Sequence, residues 1–131
     1  MKKNLLRPFF GLLFLGFAFN SQAQLTCTQS NSASGTDCSN PTATITPPCA
    51  FGTVTAATMN AGSGFTNWCP SWYDYDLIID GAPVVSGLCS QTGYDLMSYW
   101  PFTTVAVTAY DNDGYCDFVT MNLTLNFTYT P

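Results

Sequence analysis

From Thr42 onward the chain falls into short runs of β-branched and aromatic residues separated by turn-forming dipeptides, and no window of helical periodicity exceeds about two turns. The most regular run is the last. In "VTMNLTLNFTYT", Val119, Met121, Leu123, Leu125, Phe127 and Tyr129 alternate with Thr120, Asn122, Thr124, Asn126, Thr128 and Thr130, so one face is apolar and the other wholly polar. The same period over 73–80 places Tyr73, Tyr75, Leu77 and Ile79 on one face and Asp74, Asp76 and Asp80 on the other. The pattern predicts strands over 42–46, 51–59, 73–80, 83–87, 94–100, 103–110 and 118–129. "IIDGAPVV" and "AYDNDGYC" read as hairpin connections, because Asp-Gly and Asn-Asp-Gly tolerate the positive φ of such turns. Seven short strands at this spacing predict an all-β, immunoglobulin-like β-sandwich.

The N-terminal 41 residues follow a different pattern. Lys2, Lys3 and Arg7 precede an apolar run from Phe9 to Phe19, and Ser21-Gln22-Ala23 offers small residues for cleavage, so 1–23 reads as a secretory signal peptide. The run is too short to span a bilayer, and "QLTC" is a poor lipobox for an anchor on Cys27. Residues 24–41 are rich in Ser, Thr, Asn and Gln with almost no large apolar side chain, and are expected to form a polar arm held by Cys27 and Cys38. The sandwich domain is then 42–131.

Removing the signal segment changes the charge more than the length, because all three basic residues lie inside it. The mature chain keeps eight acids, all aspartates, and has no Lys, Arg, His or Glu. No side-chain salt bridge can form, and stability must come from apolar burial, hydrogen bonds and disulfides. Ser-His-Asp and Cys-His catalysis lack their base, phosphate chemistry lacks its cation, and nucleic acid is repelled. What survives is a pair of aspartates: Asp74 and Asp76, about 7 Å apart on one strand face, match the carboxylate separation of inverting glycoside hydrolysis, although a solvated strand face explains them more simply.

Six cysteines in an exported chain (Cys27, Cys38, Cys49, Cys69, Cys89 and Cys116) predict three disulfides, with 15 connectivities open. With no histidine and no C-x-x-C pair, zinc is a poor fit. Asp111, Asp113 and Asp117 imitate the start of an EF-hand loop, but Asn122 stands where the bidentate Glu belongs, and strand follows instead of helix. A calcium site shared by these three with Asp74 and Asp76 remains an expectation if the loops meet at one end of the sandwich; turn geometry alone also explains "NDG". The aromatic set Trp68, Trp72, Tyr73, Tyr99 and Trp100 reads either as core or, through Trp68, Trp72 and Trp100, as a stacking platform for a sugar. Asn122 and Asn126 head N-x-T sequons that fall within a strand.

Two stretches resemble a family. "TVAVTAYDNDGYCD" is similar to the strand, turn and strand that close PKD-type and gliding-adhesin repeat modules, and "SGLC" and "WYDYDLIIDG" resemble other parts of those modules. The matches cover about a third of the mature chain. The Gly-Asp-Gly turn of the family is replaced by Ile78-Ile79-Asp80-Gly81, and there is one copy, not an array. The resemblance implies an extracellular scaffold or adhesive module without catalytic activity.

The sequence therefore predicts a secreted, non-enzymatic structural or adhesive subunit at or outside the cell surface, with no membrane insertion. Calcium is its candidate cofactor. Its expected partners are further copies of itself or an extracellular polysaccharide. A carbohydrate-binding module is the alternative, and a two-aspartate hydrolase a more distant one. Twelve residues of strand in the last run extend about 40 Å, roughly twice an ordinary strand. Part of it, through Leu123, Leu125, Phe127 and Tyr129, is accordingly expected to pair with another subunit.

Overall fold

The computed structural model describes residues 23–47, 52–63 and 69–131. The signal-like segment 1–22, Cys49 and Trp68 lie outside the described residues. Eight strands follow in chain order: β1 (Leu25–Thr36), β2 (Thr42–Ile45), β3 (Thr53–Gly62), β4 (Tyr73–Ile79), β5 (Ala82–Leu88), β6 (Gln91–Asp95), β7 (Val105–Asp111) and β8 (Phe118–Thr130). They build two four-stranded antiparallel sheets, ordered β1-β8-β3-β6 and β2-β7-β4-β5, packed as a sandwich. The predicted all-β sandwich is the observed fold.

Alternation decides which residues reach the core. Tyr73, Tyr75, Leu77 and Ile79 of β4 are buried, as are Val105, Val107 and Ala109 of β7. From the opposing sheet come Val54, Ala57, Met59 and Ala61 of β3 and Val119, Met121, Leu123, Leu125 and Phe127 of β8. Each buried aliphatic or aromatic side chain contributes on the order of 1.5–3 kcal/mol relative to exposure. Tyr75 reaches across the sandwich: the single proton of its buried hydroxyl is shared between the carbonyls of Ala61, 3.2 Å away, and Cys89.

Three local expectations change. The arm over 24–41 is mostly strand: β1 pairs with β8 over its whole length, from Leu25 opposite Tyr129 to Thr36 opposite Phe118. Its inward positions are small or polar, which is why hydrophobic alternation did not reveal it. Residues 94–100 are not one strand, because β6 ends at Asp95, whose Oδ1 accepts the Met97 N–H at 2.8 Å and turns the chain into a 3₁₀ turn at Met97–Tyr99. Finally, 112–117 is not a hairpin: β7 and β8 belong to different sheets, so this loop carries the chain across the sandwich. The Asp80-Gly81 connection is a true two-residue hairpin, with φ of 50° and 81° at its two residues, as a type I′ turn requires.

Two disulfides brace the crossings. Cys38–Cys116 ties the turn after β1 to the β7–β8 loop, and Cys69–Cys89 ties the approach to β4 to the β5–β6 crossing. Cys27 is also in a disulfide, and no cysteine is free among the described residues. These bonds fit a non-reducing environment outside the cytosol. Among the described residues no helix is long and apolar enough to cross a membrane.

Candidate functional site

The acids predicted to share calcium are divided by strand pairing. Asp111 sits directly opposite Tyr73 and so takes the inward side of the second sheet, whereas Asp74 and Asp76, opposite Tyr110 and Thr108, take the outward side. In the loop, Asp111 Oδ1 accepts the N–H groups of Asp113 (3.1 Å) and Gly114 (3.0 Å), and Asp113 Oδ1 accepts that of Tyr115 (2.9 Å). Their carboxylates close the turn. No group of three His, Cys, Asp or Glu side chains is positioned to hold a metal ion among the described residues. Asp80 leaves the predicted acidic face altogether. Its Oδ1 accepts from Thr103 N (2.7 Å), Thr103 Oγ1 (2.8 Å) and Thr104 N (2.9 Å), and these bonds, the one to Thr104 N first, hold its pKa below the usual carboxylate value.

Asp37, which sequence reading did not single out, is the buried acid. It follows β1 in a 3₁₀ turn and is fully buried. Oδ1 accepts the Cys38 N–H at 3.0 Å, while Oδ2 is buried without a hydrogen-bond partner among the described residues. Burial, reinforced by the charges of Asp111 and Asp117, raises its pKa despite backbone hydrogen bonds that act the other way.

Trp72 and Trp100 do not share one platform. Trp72 lies at the end of the sandwich where Tyr73 meets Asp111, and it is partly exposed. Trp100 precedes β7 at the opposite end, where its ring meets Phe102 and Phe127 edge-on at 5.1 and 5.7 Å. A strand of seven residues separates them, about 20 Å or more. Trp100 thus packs against the core.

The predicted self-association residues are also core. Leu123, Leu125 and Phe127 are buried, Tyr129 is half-buried, and β8 is hydrogen-bonded on both edges, to β1 and to β3. The expectation that this strand offers its apolar face or a free edge to another subunit is overturned, since a central strand has neither.

The long β8 instead creates a broad outer face on the first sheet. Thr28, Ser30, Ser32 and Ser34 of β1 lie beside Asn126, Thr124, Asn122 and Thr120 of β8, and Thr58 and Asn60 of β3 continue two of these rows. Side chains within the rows bond to each other: Thr28 Oγ1 donates to Asn126 Oδ1, and the hydroxyl pairs Ser30–Thr124 and Ser34–Thr120 are joined, all at 2.8 Å. Two shallow depressions, of about 320 and 230 Å³, lie on this face and share Asn122 and Thr124. Among the described strands, the one charge on this face is Asp95 at its β6 edge, already bonded to Met97 N. The rows were visible in the sequence as the polar half of each alternation. Their assembly into one surface was not.

No family model, curated protein or solved structure matches the chain.

Proposed function

We propose that this chain is a non-enzymatic extracellular structural or adhesive subunit. The observation that carries the reading is the distribution of polar groups: the described acids close turns or lie on the outward side of β4, while the outer face of the first sheet, apart from Asp95 at its β6 edge, is built largely of hydroxyls and amides. Such a surface suits contact and offers no general base. Disulfide bracing and the resemblance of "TVAVTAYDNDGYCD" to PKD-type and gliding-adhesin modules support the same reading. Self-assembly, where it occurs, uses edge strands and not β8.

The test is retention of purified protein on extracellular matrix material. Binding should survive 1 M NaCl, because a chain without mature-domain cations forms no salt bridge through its own basic groups. Loss of retention in salt, or release of reducing sugar from polysaccharide above background, would overturn the reading.

A further inference from the structure

The outer face of the first sheet has an occupant suited to its chemistry. We infer that the strip crossing β1, β8, β3 and β6 at Asn122 and Thr124 binds a neutral, hydroxyl-rich polysaccharide. The inference rests on the adhesive reading and names its ligand class and contact surface.

Geometry supplies the first argument. The two depressions flank β8 on either side, the first between Ser30, Ser32 and Asn122, the second reaching Asn60, Gln91 and Thr92, and both include Thr124. Meeting at Asn122 and Thr124, they line up across the strands from β1 to β6. Four strands span about 14 Å between the outer two axes, so an extended chain of several sugar units fits along them. Gly62 lets Ser90 pack directly against β3 in the wall of the second depression, since a Cβ there would lie 2.5 Å from Ser90 Oγ.

Charge supplies the second. Asp95, at the β6 edge one row from Thr124, is the one acid on this face among the described strands, and its Oδ1 already accepts from Met97 N. The other described acids lie on the outward side of β4, in the Asp80 turn, in the β7–β8 loop and near the Cys38 turn, so the strip at Asn122 and Thr124 is itself lined by uncharged side chains. An anionic polymer gains no cation here, and a cationic one gains no carboxylate. Neutral donors and acceptors complement neutral hydroxyls.

Preorganisation supplies the third. The pairs Thr28–Asn126, Ser30–Thr124 and Ser34–Thr120 fix rotamers before binding, so little side-chain entropy is lost on contact. A hydroxyl that donates within such a pair keeps lone pairs for a ligand. The aromatic stacking common at sugar sites is not part of this strip, so affinity should come from many weak hydrogen bonds along a polymer and be poor for monosaccharides.

The experiment compares wild type, the double variant Asn122→Val with Thr124→Val, and the control Asp74→Asn with Asp76→Asn. Each is run by affinity electrophoresis through gels containing a soluble neutral glucan, a neutral mannan or the anionic polymer alginate. Circular dichroism and melting temperature confirm that each variant folds. Wild type and the aspartate control should be retarded by a neutral polymer, with at least a tenfold loss of affinity in the Asn122/Thr124 variant. Equal retardation of all three proteins would overturn the assignment to this face while leaving polysaccharide adhesion intact. Retardation by alginate alone, or by no polymer, would overturn the ligand class; matrix retention in 1 M NaCl reports separately on the adhesive reading.

Discussion

The Tyr75 hydroxyl donates to the backbone carbonyl of Cys89, so a side chain from the middle of one sheet holds the crossing where the chain leaves for the other. The same hydroxyl reaches the Ala61 carbonyl at the end of β3, and Cys89 is itself linked to Cys69. One phenol thereby joins both sheets and a disulfide. Its burial raises the phenol pKa well above the ordinary range, which favours the protonated, donating form.

Tyr75→Phe keeps the ring and removes the donor, leaving two carbonyls without it. The expected loss is about 1–3 kcal/mol. In a domain of this size, each kcal/mol lowers the melting temperature by about 4–8 °C. Calorimetry showing no change would mean that the hydroxyl is not a structural tie.

Asp37 and Asp80 should give opposite pH dependences. The raised pKa of buried Asp37 means the folded state binds its proton more readily than the unfolded chain does. Its contribution is therefore most favourable below the unfolded value and is lost as pH rises through the folded one. The lowered pKa of Asp80 gives stability that is present above the unfolded value and lost as pH falls through the folded one. Asp37→Asn should raise the melting temperature at pH 7 and remove the gain on mild acidification. Asp80→Asn should flatten the acid side instead. Thermal melts from pH 3 to 8 check both, and a variant of Asp37 that melts lower at neutral pH would contradict its unfavourable burial.

The Cys38–Cys116 bond closes a long stretch of chain, with a sequence separation of 78. Replacing both residues with Ser should cost on the order of 4 kcal/mol by the loop-entropy estimate. The Cys69–Cys89 bond, with a separation of 20, should contribute less. Guanidinium unfolding of the two double variants gives the comparison, and an inverted order would point to local strain relief rather than chain entropy.

Deleting 126–131 should unfold the domain. Phe127 is buried against Phe102 and Trp100, and the deleted stretch pairs with both β1 and β3. Near-UV circular dichroism should be lost. A soluble truncated product that keeps its native spectrum would restore the idea that the end of β8 is an overhang available to another chain.

The sequence alone determined the strand content, because strict alternation on β4 and β8 leaves only one way to bury Tyr73, Tyr75, Leu77, Leu123 and Phe127. It also determined the Asp80-Gly81 turn, whose backbone demands are local. Tertiary structure decided which strands became neighbours. β1 has no apolar stripe of its own and exists as strand because β8 supplies its hydrogen bonds along the full length. That pairing turned an apparent overhang into a central strand. It also gathered hydroxyls and amides from distant segments into one face whose single charge, among the described strands, is Asp95 at the β6 edge. Likewise, nothing local marks Asp37 as buried: its burial comes from the packing of its turn beside the β7–β8 loop to which Cys38 is bonded. Alternation is a property of neighbours in sequence, but sheet order and burial of a loop residue depend on contacts between distant parts of the chain, which no short window encodes.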